Sequence, residues 1–276
     1  MSDTLQRFLF KDQPIRGEIV RLGQALSTII DQQKFPLPVQ QYLAQLLCSA
    51  VLLSATLKYE GQLTIQFQHD GALRMLVAKC DQQHRIRATA HWDDAAPVAV
   101  LEEEWSTGRL IITLQDNVSG KHYQSIVEMQ QRNISTALEH YFSQSEQLPT
   151  TLRIVEQHGF AVGLLVQAMP DASAEAWQHV ALLANTIQPK ELLAWDNQTL
   201  LQKLFYEEDI VLYEPKPVSF FCPCDIDKMK DAVRLLGEAE AMDILKTNRF
   251  VEVNCDYCHQ QFDFDADDVK ALFVRH

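Results

Sequence analysis

Four cysteines in two tight pairs, Cys222-Pro-Cys224 and Cys255-Asp-Tyr-Cys258, constrain this chain more than any other feature. Both pairs lie in a final stretch too short to bury much core of its own, and a segment of that size needs a staple. Zinc takes four tetrahedral ligands at about 2.0–2.3 Å, and two short-spaced pairs bring thiolates together from two turns of chain. Four thiolates select a soft or borderline metal, which makes zinc the first reading and an iron–sulfur centre the second. The second pair sits between two short strand patterns, Phe250 to Val253 and Gln261 to Phe264, where a zinc knuckle belongs. Asp225 can cap a helix through Met229, Val233 and Leu236 that stops at Gly237. A second short helix follows over about Ala239 to Leu245, and Asp265 caps a closing helix through Phe273.

Three other readings of the cysteines stay open. Cys255-x-x-Cys258-His259 matches the short pattern for covalent haem attachment, which requires an exported protein. Cys255 and Cys258 alone could form a thioredoxin-like dithiol, but no βαβ pattern surrounds them and the other pair would lack a purpose. The four could also hold a purely structural zinc. The Cys-x-Cys pair is rarer than the Cys-x-x-Cys knuckle, and either pair could close locally if oxidised, within the usual Cα separation limit. Oxidation would remove all four ligands, and a structural zinc contributes on the order of 10–16 kcal/mol to the folding of such modules. The same residues can therefore act as staple and release. Cys48, inside an apolar helix, and Cys80, at a strand end, read as small buried hydrophobes without a role.

Upstream, to about Pro170, short alternating or apolar runs predict strands at 5–10, 18–22, 62–68, 73–80, 84–91, 109–114, 123–128, 152–156 and 160–168. A helix is predicted from Leu37 to Lys58, with Val39, Leu43, Leu46, Ala50, Leu53 and Leu57 forming one buried face. Another is predicted from Asn133 to Ser143. Many short strands with few helices indicate an α+β domain built on antiparallel sheet. The pattern then turns helical, over Ala174 to Ile187 and over Pro189 to Phe205 with a break near Asp196, before a short strand at Asp209 to Tyr213. The expected organisation is an N-terminal α+β core at 1–170, a helical linker at 171–217 and a small C-terminal zinc-binding domain at 218–276.

The formal charge is −13, and no Lys/Arg cluster exists to neutralise phosphates, so nucleic acid is not an expected partner. Acidic runs at Glu102–Glu104 and Asp263–Asp268 argue the same way. The N-terminus lacks the pattern of a secretory signal, and no apolar stretch of membrane-spanning length is recognised. A soluble, cytoplasmic protein without a membrane partner is expected. In that compartment thiols stay reduced and serve as metal ligands or redox groups. There is no phosphate-binding loop, His-Glu-x-x-His or Gly-x-Ser-x-Gly, and the histidines are scattered, so an enzyme is not expected.

These residues resemble the heat-shock protein 33 family of redox-regulated chaperones. The likeness is strongest in Phe221 to Cys224, Leu235 to Gly237, Val251 to Cys258 and Tyr141 to Thr150. It extends to Arg16 to Leu22 and Leu53 to Leu63. Relatives commonly have proline at Ala72, serine at Asp225 and histidine at Tyr206; none of these departures removes a cysteine. The resemblance implies an ATP-independent holdase activated by oxidative stress. In the reduced form Cys222, Cys224, Cys255 and Cys258 would bind one zinc ion and activity would be low. Oxidation would form Cys222–Cys224 and Cys255–Cys258 disulfides, release zinc, unfold the C-terminal domain and linker, and expose a surface for unfolding client proteins. The oxidised protein would form a homodimer and later hand clients to ATP-dependent foldase chaperones. Which surface binds clients is not specified by the sequence.

Overall fold

The apolar run that begins at Leu37 forms one 20-residue helix, Leu37–Thr56. Its burial is not confined to the predicted face: Leu47, Val51 and Leu52 are buried as completely as Val39, Leu43 and Leu46. A helix apolar all round must be enclosed all round, and here a sheet covers each side. The segment is in fact long and apolar enough to cross a membrane, contrary to the sequence expectation, but 78% of its most apolar window is buried inside the protein. It is a core helix. The predicted end at Lys58 lies outside the described residues, since the computed structural model describes 2–57, 59–129 and 133–273.

The chain divides into two compact units, Met1–Phe220 and Phe221–His276. The first opens with β1 (Thr4–Phe10), β2 (Ile15–Leu22), α1 (Gln24–Gln32), α2 (Leu37–Thr56), β3 (Gly61–Gln68), β4 (Met75–Asp81) and β5 (Arg85–His91). It continues through α3 (Val98–Trp105), β6 (Arg109–Asp116), β7 (His122–Glu128), α4 (Ile134–Tyr141), a π-helical turn at Phe142–Glu146, β8 (Thr150–Gln157) and β9 (Phe160–Ala168). Helices α5 (Ala174–Thr186), α6 (Pro189–Ala194) and α7 (Asn197–Leu204) follow. Three short strands close the unit: β10 (Ile210–Leu212), β11 (Lys216–Pro217) and β12 (Ser219–Phe220).

Sheet one runs β10-β1-β2-β9-β8, with β11 also pairing to β1, and is antiparallel throughout. Sheet two runs β12-β5-β4-β3-β6-β7, antiparallel except where β12 joins β5. Helix α2 lies between the sheets. Strand alternation sends Leu5, Val20, Leu22 and Leu165 of sheet one toward α2. The opposite set (Phe8, Phe10, Ile15, Ile19, Val162, Leu164 and Val166) forms a second apolar face. Helices α5 to α7 cover that face with Val180, Ala184, Ile187, Leu192, Leu200, Leu201, Leu204 and Phe205. The Phe205 ring meets Phe10 edge-on at 5.1 Å.

Two helices had no local signal. Helix α1 has no side-chain cap from its own N-cap residue, Gly23. The Asp3 carboxylate, at the entry to β1, accepts instead from the backbone N–H groups of Gly23, Gln24 and Ala25. Helix α3 contains the acidic run 102–104. There Trp105 stacks on Tyr42 at 4.3 Å, and the Glu104 carboxylate accepts from the amides of Ala72 and Leu73. Part of that acidic run is therefore structural.

The second unit consists of α8 (Ile226–Leu236), α9 (Glu238–Thr247), β13 (Val251–Asn254), β14 (Gln261–Phe264) and α10 (Ala266–Phe273). Its core is small: Val233, Ala241, Val251, Phe264 and Val269.

Sheet one approaches α2 most closely at Gly163, where a Cβ would stand 2.8 Å from Leu52 Cδ1 and 3.0 Å from Val20 Cγ1. Overpacking of this kind costs about 1–3 kcal/mol. Gly163→Ala is expected to destabilise the first unit by that amount, read as a lower urea midpoint at unchanged m-value.

Candidate metal centre

Each cysteine is delivered by a local structure that the flanking residues explain. Strands β13 and β14 pair from Val251↔Phe264 to Asn254↔Gln261, and Cys255 and Cys258 occupy the turn that joins them. That turn is closed by Cys255 N–H donating to Gln260 C=O (3.0 Å) and His259 N–H donating to Cys255 C=O (2.8 Å). His259 takes φ +54°, in the left-handed region that lets so tight a loop reverse. Cys222 and Cys224 lie in the extended stretch before α8. Asp225 caps that helix, its carboxylate accepting from Lys228 N–H at 2.9 Å. Val233 of α8 and Val251 of β13 belong to one apolar cluster, which fixes the stretch against the hairpin.

The four sulfurs all lie within 4.8 Å of one another. Cys222 Sγ is 3.6 Å from Cys255 Sγ, and Cys224 Sγ is 3.3 Å from Cys258 Sγ. A tetrahedral centre with metal–sulfur bonds of about 2.3 Å has sulfur–sulfur edges of about 3.8 Å. These are non-bonded contacts between free thiols, since a disulfide measures about 2.05 Å. The donor set and its spacing fit a tetrahedral, thiophilic cation, and the cluster could hold a metal ion. Among the described residues no other group of histidines, cysteines and carboxylates converges in this way.

The electrostatics of the bare thiols point to the same need. Burial pushes Cys222 far up, and burial followed by the neighbouring Cys258 thiol raises Cys224 to about 11. At Cys255 burial also raises the pKa. Hydrogen bonds from the backbone N–H groups of Cys258 and Tyr257, and from the Cys222 and Cys258 thiols, outweigh it and the net shift is downward. The surroundings thus favour the thiolate at Cys255, while Cys222 and Cys224 resist ionisation. A divalent cation reverses that resistance, because a coordinated thiol is deprotonated outright. Cys48 and Cys80 take no part. Both are buried in the first unit, burial pushing the Cys80 thiol to about 12 and Cys48 higher still.

Residues 3–265 match the family model described as Hsp33 protein. The chain belongs to the Hsp33 family. Proteins named 33 kDa chaperonin from Nitrosococcus oceani and Aliivibrio fischeri are similar to it, at 39% and 38% identity. Both alignments cover 99% of this chain, with 94% and 96% of the relatives' own lengths. The solved structure of the 33 kDa chaperonin from Thermotoga maritima superposes with a TM-score of 0.84, at 20% identity, over 98% of this chain and 97% of that one. It shows that the α+β architecture is the Hsp33 fold. Hsp33 proteins are chaperones, a class without catalytic turnover, as expected from the sequence.

Sequence reasoning named all four clustered cysteines. It missed how the helices after β9 are fastened to sheet one. Arg21, buried in β2, donates to the Trp195 carbonyl and to Asn197 Oδ1 (2.7 Å), while Asn197 Nδ2 donates to Gln6 Oε1 (2.8 Å). These partners are about 175 to 190 residues apart in sequence, and no local pattern links them.

The second unit's core is too small to lose a large member. Removing a buried Phe costs about 3–5 kcal/mol. In the metal-free reduced protein, Phe264→Ala is expected to abolish hydrogen-exchange protection across 226–273 while β2 and β9 stay protected.

Proposed function

We propose that the chain is an ATP-independent holdase chaperone switched on by oxidation. The observation that carries this reading is the convergence of four thiols, at tetrahedral spacing, in a unit whose apolar core is a handful of side chains. In the reduced state Cys222, Cys224, Cys255 and Cys258 hold one zinc ion, which supplies the binding free energy that the core lacks and keeps the sulfurs as thiolates.

Thiolates are the species that peroxide attacks. One thiolate of a pair takes an oxygen atom from peroxide, giving a sulfenic acid and releasing hydroxide. The second thiolate displaces the sulfenic hydroxyl and closes the disulfide. Two such events join Cys222 to Cys224 and Cys255 to Cys258, consume two peroxides and leave no thiolate to bind metal. The sulfurs within each pair already lie within 4.8 Å, so closure needs local movement only. Unit 221–276 then falls below the core it needs to stay folded.

The linker, 171–217, supplies the second part of the reading. It ends in strands of three and two residues, β10 and β11, and Cys222 follows β12 after one intervening residue. Loss of the second unit frees the chain immediately after these weak attachments. Release of α5 to α7 uncovers Phe8, Phe10, Ile15, Ile19, Val162, Leu164 and Val166, a contiguous apolar face suited to unfolding clients. A thermal or other unfolding stress acts with the oxidant because the helices themselves bury apolar surface. The oxidised form associates as a dimer, acts in the cytoplasm and passes clients to ATP-dependent foldases once reduced.

Peroxide at raised temperature is expected to release one zinc per chain, with loss of four thiols, in step with suppression of aggregation of an unfolding client. Reductant plus zinc should reverse both. Zinc retained, or lost without any gain in client protection, would leave a purely structural site. Phe205→Ser, which loosens the linker without touching a cysteine, is expected to protect clients several-fold better in the reduced, zinc-loaded state. An unchanged reduced activity, with the helices shown by hydrogen exchange to be loosened, would remove the linker from the mechanism.

A further inference from the structure

The first unit contains a cavity of about 580 Å³ whose walls come from several separate stretches of chain. Strands β1 and β2 supply Arg7, Arg16 and Glu18, the last turn of α2 supplies Ala55, and the turn between β4 and β5 supplies His84. Glu214 and Lys216, on the way from β10 into β11, complete the polar side. The remaining wall is largely apolar, with Leu5, Leu9, Leu57 and Met169.

Charge in this cavity has the opposite sign to that of the chain. The sequence carries −13 overall, yet the cavity gathers Arg7, Arg16 and Lys216 against the carboxylates of Glu18 and Glu214. Glu18 is already engaged, accepting from Arg7 Nε at 2.6 Å, and Glu214 is exposed. Both guanidiniums are anchored on the end of α2. Arg7 Nη2 donates to the Ala55 carbonyl (2.8 Å) and Arg16 Nη2 to the Thr56 carbonyl (3.0 Å), while Arg16 Nε and Nη2 also donate to Gln167 Oε1. Among the described residues, Nη1 of each arginine and Nζ of Lys216 have no protein partner. The cations are also crowded. Burial lowers the Arg16 pKa and the Arg7 guanidinium lowers it further, against Glu18. Burial and then Lys216 lower His84, with Asp81 opposing and Arg7 adding to the drop. His84 is only 9% exposed, and its Nδ1 is buried without a hydrogen-bond partner. A buried polar atom is normally satisfied, and a neutral imidazole that carries its proton on Nδ1 can donate there.

We infer that this cavity binds a small organic anion, a carboxylate or phosphate head on a compact apolar body. The head is held among Arg7, Arg16, Lys216 and His84, and the body lies against the leucines and Met169. Guanidinium nitrogens match the geometry of an oxyanion, and a bound anion relieves the repulsion among the crowded cations. The volume falls within the range of about 300–1,000 Å³ usual for small-molecule sites. Such a ligand joins sheet one, the end of α2, the β4–β5 turn and the stretch into β11, and it stabilises the first unit by mass action. The site does not depend on zinc or on the redox reading, since all its residues lie in the first unit.

The test is calorimetric titration of the full-length, reduced, zinc-loaded chain with benzoate, phenyl phosphate, inorganic phosphate and the neutral benzamide. Benzoate or phenyl phosphate is expected to bind with a Kd of about 1 mM or tighter, to raise the melting temperature of the first unit and to shift the His84 ring resonances. Benzamide, which lacks the charge, and inorganic phosphate, which lacks the body, are expected to bind at least about tenfold more weakly than their counterparts. Lys216→Gln, at an exposed position, is expected to weaken the anion about fivefold and to leave the melting temperature of the free protein unchanged. Lys121→Gln, in the turn between β6 and β7, is expected to leave binding as it was. The inference is overturned if neither organic anion reaches that affinity, or if benzamide or inorganic phosphate binds as tightly as its counterpart. It is equally overturned if Lys216→Gln changes binding no more than Lys121→Gln, or if the His84 resonances stay unmoved.

Discussion

Sheet one cannot stand with its outer face in water. Phe8, Phe10, Ile15, Ile19, Val162, Leu164 and Val166 lie on adjacent strands and form a continuous apolar surface. Burying each large apolar side chain contributes about 1.5–3 kcal/mol, so the cover provided by α5 to α7 is a major part of the first unit's stability. The cover is also made of short helices joined at a break at Trp195–Asp196, and its polar fastening comes from two arginines of sheet one, the buried Arg21 and Arg153, which donates to Asn185. An apolar face that needs a cover is thus covered by short helical pieces.

The metal cluster sits at the opposite extreme of construction. The first unit has two apolar clusters built around sheets and a central helix, whereas the second has one small cluster and four converging thiols. Stability of the first unit is spread over many contacts and responds gradually to change. The second has a core of a few side chains, so the four-cysteine cluster is a larger share of what can hold it together. That contrast separates the two units by how their stability is built.

Much of this was legible in the sequence where the determinants are local. The cysteine pairs, the cap Asp225, the stop at Gly237 and the break near Asp196 are all set by neighbouring residues, and the structure has them as read. What was not legible is tertiary. Helix α1 takes its cap from Asp3, some twenty residues earlier. Strand β12 exists only because β5 is there to pair with it. The all-round burial of α2 requires a second sheet on its far side, and a single helix pattern cannot announce what lies opposite. The division of the chain after Phe220 places the segment 171–217 within the first unit, a grouping set by cross-strand and core contacts rather than by composition.

The burial of Cys48 and Cys80 has its own consequence. Both thiols are sealed in the first unit and held far from ionisation, Cys80 at about 12 and Cys48 beyond it. Thiols that are not sealed in an apolar core therefore lie in only one of the two units. In the first unit no accessible thiol is present to lock a change of shape with a covalent cross-link.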